Sequence, residues 1–416
     1  MVIVGKKGGE KRFCVDYKKL NAVTKVDAYP LPRIDDLLDS LGGATWFSTI
    51  DLASGFWQIS MHEEDIEKTA FITPSGLYEF VVMPFGLNNA SGTFQRLMNW
   101  VLRDYLGIFV AVYIDDVIIY TRGTMEQHLD HLRLVFRTLK KAMLKIKLKK
   151  CHFCLPSLSF LGHVVGRSGI QPDPEKIAKV KNFPTPTNVT QLRAALGLFG
   201  YYRKFVKDFG HHAKPMTELL KKDKPFKWEK RQQDAFDRLK ERLIKAPILQ
   251  YPDYEEPFIL FTDASMTGLG AVLAQKKNGK EVVIAYASRS TNQHEANYSI
   301  TDLECLAVVW AVQHFQHYLF NHFTIVTDHS ALKWLKTCKI PKGRRGRWIL
   351  ELQQYHFTIE HRAGKANSNA NALSRMYETE VTCYLAQIEE LTPDGYTSDS
   401  ESEESTVSVA ERIDMN

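Results

Sequence analysis

Cysteine is scarce, with six scattered through 416 residues. A dense disulfide framework is therefore excluded as the source of stability, and a reducing compartment is the expectation. Long apolar runs are missing as well. None approaches the roughly 18 residues needed to cross a bilayer, and the best candidate, Ile108 to Ile114, stops at a pair of carboxylates. The opening residues Met1 to Lys7 lack the layout of a signal peptide, so export is not expected. There is no internal repeat. Acidic residues are unevenly withheld: residues 376–416 hold eleven Asp and Glu against one basic residue, a net of −10, so the +6 of the whole chain leaves +16 on the first 375. A body that basic suits a polyanionic partner, most simply nucleic acid, with plain solubility as the alternative.

What is present fits two or three domains with sizeable cores, at 44% hydrophobic residues. From Arg12 to about Cys154, short β-rich runs alternate with helical stretches in an α+β pattern. Pro172 to Pro247 turns mostly helical, and Asn188 to Phe209 has helical spacing through Leu192, Leu196, Phe199 and Phe205. After a linker around Tyr251–Pro257, a second α+β unit is predicted. Its strands are Phe258–Thr262, Gly270–Ala274, Val282–Ser288, Phe323–Thr327 and Phe357–Glu360, with a helix over Thr301–Tyr318. The Ser- and Glu-rich tail beyond Met376 buries too little apolar surface to order itself.

The run Phe109 to Tyr120 sets two apolar strands around Asp115-Asp116 and reads as a hairpin with carboxylates at its tip. Adjacent carboxylates in apolar surroundings are costly unless a cation neutralises them. A second apolar strand, Trp46 to Ile50, ends on Asp51. Three carboxylates at strand ends can gather two Mg²⁺ ions about 3.5–4 Å apart, an arrangement suited to phosphoryl transfer. On the Asp-Asp pair alone, an acidic surface turn is an equal alternative.

The chain resembles the gypsy-type reverse transcriptases of long-terminal-repeat retrotransposons. The resemblance rests on Arg12 to Tyr17, Phe47-Ser-Thr-Ile-Asp51-Leu52, Met83-Pro-Phe-Gly-Leu87, Phe94-Gln95, Tyr113-Ile-Asp-Asp116, Phe160-Leu-Gly-His163 and Leu196 to Phe205, all in family order. It implies an α+β multidomain chain. A right-hand polymerase with partial fingers and palm (1–165) and a thumb-like helical region (166–250) would precede a ribonuclease H-like α/β domain (255–375) and a disordered acidic tail (376–416). It implies Asp51, Asp115 and Asp116 as polymerase metal ligands, with Mg²⁺ as the ion and Mn²⁺ as a substitute. Phe56 would lie under the incoming sugar, where a ring excludes a ribose 2′-hydroxyl. Lys7 and Arg12 would meet the triphosphate, and Gln95 the template and primer. The implied partners are an RNA template, a DNA primer, an RNA–DNA hybrid and deoxynucleoside triphosphates, with no membrane. The implied location is intracellular, in a cytoplasmic particle or the nucleus. In the family, further fingers sequence and a protease precede this region and an integrase follows it.

Lys145-Ile-Lys-Leu-Lys149 alternates basic and apolar residues and is predicted as a strand that either follows a phosphate backbone or forms a solvated edge. Cys151-His-Phe-Cys154 with His163 has part of a zinc ligand set, but the second pair is absent and no zinc is expected.

A second constellation comprises Asp263 after an apolar strand, Glu304 on a helix and Asp328 at the end of Phe323–Thr327. By resemblance these are ribonuclease H metal ligands, again for two ions, with His361 aiding proton transfer or product release from a flexible loop. The family's next carboxylate is replaced: Ala370-Asn371-Ala-Leu-Ser-Arg375 carries an amide where the family has Asp. Loss of one anion predicts slow cleavage of RNA in a hybrid, restored by Asn371→Asp. Two readings stay open: a polymerase with a compromised ribonuclease H, and a non-catalytic nucleic-acid-binding remnant of a decayed element.

Overall fold

A computed structural model describes residues 2–5, 11–222, 224–329 and 343–362, with backbone alone for 2–5 and 11–13. These residues all fall within one unit, Met1–Asn367. Lys7, Asn371 and the expected tail lie outside the described residues.

The chain opens with an antiparallel pair, β1 (Val2–Gly5) and β2 (Lys11–Cys14), followed by helices α1 (Lys18–Val23) and α2 (Ile34–Asp39). Strand β3 (Trp46–Asp51), helix α3 (Glu63–Ile66), the small hairpin β4 (Phe71–Thr73) and β5 (Gly76–Tyr78), and helix α4 (Ala90–Val101) come next. Then β6 (Val110–Tyr113) turns into β7 (Asp116–Thr121), and α5 (Met125–Lys141) leads to β8 (His152–Leu155). The four strands form one sheet in the order β6-β7-β3-β8.

Side chains alternate across a strand, and here both faces are covered, which is why Val117 to Tyr120 reads as unbroken apolar sequence. Val110, Val112, Val117 and Ile119 pack with Phe94 and Met98 of α4 and Leu132 and Val135 of α5. Ala111, Ile118 and Tyr120 face the other way, onto a cluster that includes Phe47, Leu38 and Leu41. The predicted strand over Lys145–Lys149 is not formed. Only Ile146 bridges to Leu52, and a 3₁₀ turn begins at Leu148. This stretch skirts the sheet end with Lys145 and Lys149 exposed and Lys147 half-buried, so alternation alone did not make a strand.

Three short strands, β9 (Ser157–Phe160), β10 (His163–Gly166) and β11 (Gly169–Pro172), make a meander. Helices α6 (Pro174–Lys181), α7 (Val189–Tyr201), α8 (Phe209–Thr217) and α9 (Lys230–Ile244) follow, so the mostly helical stretch is present. Its segment Asn188 to Phe209 is broken, however. Asn188 caps α7 by accepting the Gln191 N–H at 2.9 Å. A 3₁₀ turn then follows at Arg203–Phe205, where Phe205 and Val206 are buried, and Asp208 adopts φ +56° to start α8 in a new direction.

The last five strands are β12 (Phe258–Ser265), β13 (Gly268–Lys277), β14 (Lys280–Ser290), β15 (Phe323–Thr327) and β16 (Phe357–His361), with helix α10 (Ile300–His314) between β14 and β15 and α11 (Gly343–Leu352) before β16. They form a mixed sheet in the order β14-β13-β12-β15-β16, in which β12, β15 and β16 run parallel. Phe258, Leu260 and Ile325 pack under Val308 and Val312 of α10. Val272 and Tyr286 join the cluster of Phe199, Phe236 and Leu239 from the helical region, so this sheet is also covered on both faces. Strand β12 runs past its predicted end, placing Asp263 inside the strand, while α10 stops at His314, short of Tyr318.

Tyr318 ties this sheet domain to the first helices by donating its hydroxyl to Asp39 Oδ2 at 2.6 Å. Desolvation pushes Asp39 up to about 6, only partly opposed by the Tyr318 bond. An acid whose folded pKa lies above its unfolded value stabilises the fold at low pH and loses that contribution as pH rises from about 4 through 6. We therefore expect Asp39→Asn, which keeps an acceptor for Tyr318 without the charge, to be more stable than the parent at pH 7 by on the order of 1–2 kcal/mol, the residue keeping some solvent contact. Thermal melts at pH 4 and pH 7 check this: the gain should be absent at the lower pH.

Candidate active sites

Two carboxylate groups stand at strand ends. In the first, Asp51 closes β3 and faces Asp116, the first residue of β7, across an antiparallel pair. Like charges directly opposite destabilise a sheet, and the pair persists here with Asp115 one residue away on the β6–β7 turn. Desolvation, then Asp115 and Asp51, push Asp116 up to about 6, with Lys150 opposing. Lys150 Nζ reaches Asp51 Oδ2 at 2.9 Å. Nothing in the sequence marks this lysine: the alternating basic strip ends one residue before it, and Asp51 lies 99 positions away.

The turn that carries Asp115 is strained. Ile114 has φ +56°, a region that β-branched residues avoid. Gln95 of α4 holds it there. Its Oε1 accepts the Ile114 N–H at 2.6 Å, while Nε2 donates to Val112 O at 3.2 Å and Asn99 Oδ1 at 2.9 Å. Gln95 is 0% exposed with every polar group engaged, so it has none left for a template strand. What the structure shows for Gln95 is this hold on the Ile114 turn. Gln95→Leu leaves the Ile114 N–H without its acceptor, at a cost of about 1–3 kcal/mol. The expected result is slower nucleotide addition with primer-template affinity retained; single-turnover incorporation separates the two.

Phe56 sits in a 3₁₀ turn, Gly55–Gln58, beside this group. A Cβ on Gly55 would lie 3.1 Å from the Phe94 ring and 3.5 Å from Asp115 Cβ, so the turn packs closely on Phe94 and within van der Waals reach of Asp115. The Phe56 ring is half-buried, 5.5 Å from Phe85 and 5.6 Å from Phe94. Arg12 lies in β2 opposite Val4; its side chain, like all of Lys7, is outside the described residues.

The second group is tighter. Asp263, Glu304 and Asp328 can each offer an oxygen such that all lie within 4.8 Å of one another, and among the described residues no other set of three or more His, Cys, Asp or Glu does so. Cys151, His152, Cys154 and His163 do not converge in this way. The parallel register explains the convergence. Phe261 pairs with Val326, so two residues on, Asp263 and Asp328 emerge side by side at the C-terminal ends of neighbouring strands. Glu304 comes from α10, which packs across β12. It is 4% exposed, and its Oε2 is buried without a hydrogen-bond partner. Burial, then Asp328 and Asp263, push Glu304 up to about 8. Asp263 is likewise raised, by burial first, then Asp208 and Asp328. An orphaned, buried carboxylate oxygen facing two more carboxylates is the donor set of a hard divalent cation. His361 ends β16 opposite Thr327, with Nε2 3.0 Å from the Asp328 carbonyl oxygen. The loop expected for His361 is therefore corrected to a strand end.

Near this centre lies a cationic cavity of 530 Å³ lined by His211, Lys214, Lys230, Arg231, Arg238 and Thr267, among others. Lys214 Nζ holds Thr267 O at 3.0 Å and His211 Nδ1 holds Thr267 Oγ1 at 3.1 Å, which joins α8 to the β12–β13 turn just beyond Asp263. No described helix is long and apolar enough to cross a membrane.

Residues 4–165 match the family "Reverse transcriptase (RNA-dependent DNA polymerase)", and residues 253–355 match "RNase H-like domain found in reverse transcriptase". The chain is 48% identical over 383 residues to the retrovirus-related Pol polyprotein from transposon 297 of Drosophila melanogaster, covering 90% of this chain and 36% of that protein. It is 38% identical to the Pol polyprotein from transposon gypsy of the same species, covering 90% and 38%. It thus spans little more than a third of the length of these relatives. Among solved structures, the foamy viral protease-reverse transcriptase in complex with dsDNA superposes with a TM-score of 0.77 at 24% identity, over 87% of this chain and 77% of that one. The same viral protein in complex with an RNA/DNA hybrid gives 0.71 at 21%, over 98% and 52%. Both likenesses speak for the fold: a reverse transcriptase architecture with its ribonuclease H-like sheet. The chain belongs to the retrovirus-related Pol polyproteins of gypsy-type retrotransposons and comprises their reverse transcriptase and ribonuclease H region.

Proposed function

We propose that this chain is an RNA- and DNA-directed DNA polymerase with an attached ribonuclease H that acts on the RNA of an RNA–DNA hybrid, its cleavage slowed by the amide of Asn371 where the family has a carboxylate. The observation that carries the reading is the pair of carboxylate groups, each at strand ends and each within the segment that matches the corresponding family. Asp51, Asp115 and Asp116 would hold divalent metal at the first, and Asp263, Glu304 and Asp328 at the second, with Mg²⁺ as the ordinary ion and two ions per site. Bound there, the metals lower the pKa of an attacking hydroxyl or water and neutralise charge on the phosphate. The protein's own part is placement. Gln95 fixes the Asp115 turn, Lys150 offers a cation beside Asp51, and His361 stands ready to move a proton beside Asp328. The partners are an RNA template, a DNA primer, their hybrid and deoxynucleoside triphosphates. The +16 carried by residues 1–375 and the cavity around Lys214 and Arg238 support a phosphate backbone as ligand.

Primer extension by the purified chain on an oligo(dT)-primed RNA tests the polymerase reading directly. Absence of extension with both Mg²⁺ and Mn²⁺ would leave a binding protein in its place. Phe56 is the proposed sugar gate, since it is half-buried and follows Gly55, the residue whose backbone packs beside Asp115. Phe56→Val should raise ribonucleotide use relative to deoxynucleotide use by roughly 10–200-fold, the scale of one steric mismatch in a pocket. Single-nucleotide incorporation measures the ratio, and an unchanged value would return Phe56 to packing against Phe85 and Phe94.

A further inference from the structure

The three carboxylates of the second centre come together from β12, α10 and β15, but a fourth stands beside them. Asp208 has φ +56°, a left-handed conformation that Asp and Asn adopt more readily than other non-glycine residues. The turn brings its side chain onto β13. A Cβ built on Gly270 would lie 2.8 Å from Asp208 Oδ1, so the carboxylate occupies the space that a side chain at 270 would need. Gly270 is the cross-strand partner of Asp263. Residues so paired project to the same face with Cβ atoms about 4.5–5.5 Å apart, which puts the Asp208 carboxylate next to that of Asp263. No hydrogen bond or ion pair among the described residues engages it. Of the charges acting on Asp263, Asp208 is the strongest, ahead of Asp328.

A bare cluster of acids is unfavourable, and this one also holds the orphaned Oε2 of Glu304, a residue 4% exposed and aimed at Asp263 and Asp328. One cation among Asp263, Glu304 and Asp328 satisfies that oxygen. It leaves the Asp208 side of Asp263 as a second anionic position. We propose that Asp208 is a fourth carboxylate of this centre, holding a second divalent cation together with Asp263. The assignment rests on reading the centre as a ribonuclease H metal site. It supplies from the helical region an anion that the amide of Asn371 does not provide.

Calorimetric titration of Mn²⁺ tests this on the full chain carrying Asp115→Asn and Asp116→Asn, which removes the polymerase ligands. The parent in that background should bind two ions. Asp208→Asn, near in shape and at ease in the left-handed conformation, should lose the weaker ion, or weaken it by at least the roughly 10–100-fold that loss of even an outer-shell partner costs. Its metal-free melting temperature should be unchanged or slightly raised, since a like charge leaves the side of Asp263. Gly270→Ala reaches the same end by another route: it keeps the charge of Asp208 but pushes the carboxylate aside, and should weaken the same ion. Two ions bound at parental affinity by both variants would overturn the assignment. Mn²⁺ binding unaltered by Asp263→Asn would overturn the metal-centre reading itself, a different failure from the first.

Discussion

Asp115→Asn should reduce primer extension by roughly 10³-fold or more while leaving the fold and hybrid binding in place. The amide fits the same volume on the β6–β7 turn, and the turn is held by Gln95 through the Ile114 N–H, a bond that does not involve the Asp115 side chain. What disappears is one anion of the three at the ends of β3 and β7. Removing a charge from beside Asp116 also relieves a repulsion that helps push that residue up to about 6. The metal-free variant should therefore be as stable as the parent or slightly more so. Extension assays with Mg²⁺, paired with thermal melts, distinguish loss of chemistry from loss of structure. Near-parental extension would remove Asp115 from the metal-binding set.

Glu304→Gln should abolish hybrid cleavage, by roughly 10²–10³-fold or more, and should also remove a pH dependence of stability. Burial and the neighbouring Asp328 and Asp263 push Glu304 up to about 8, well above an unfolded glutamate at 4.5. A raised acid favours the fold while it keeps its proton. The metal-free parent should therefore lose stability as pH rises from about 4.5 through 8, and Glu304→Gln should flatten that slope. Divalent metal reverses the penalty in the parent, because it favours the charged carboxylate, so Mn²⁺ should raise the parent's melting temperature far more than the variant's. A variant that cuts hybrid at the parental rate would exclude Glu304 from the centre. A metal response equal in both would do the same.

Much of this architecture was legible in the chain. Strand β15 begins and ends where its apolar run does, and β3 differs only by including Asp51, because a run buried on both faces has no freedom to end elsewhere. The carboxylates at those ends were visible for the same reason: a charge that follows a buried strand must stand at the sheet's edge. Lys145–Lys149 shows the limit, since the alternation there yields only one bridge, Ile146 to Leu52, before a 3₁₀ turn takes over at Leu148. Gln95 shows another. Its side chain is polar and sits near the carboxylates in sequence order, but only packing reveals that it points inward and holds the Ile114 turn.

Lys150 and Asp208 were invisible to any local pattern. Each reaches its carboxylate partner across a contact that depends on how separate elements pack: Lys150 on Asp51 from the turn before β8, and Asp208 over Gly270 from the start of α8. Periodicity and spacing report the faces of one element at a time, so the sequence by itself determined the strands, the helices and the carboxylates that end them. Which charges from distant segments converge on those carboxylates depends on pairing register and on left-handed turns such as that at Asp208, and these are decided only when the sheets and helices close on one another.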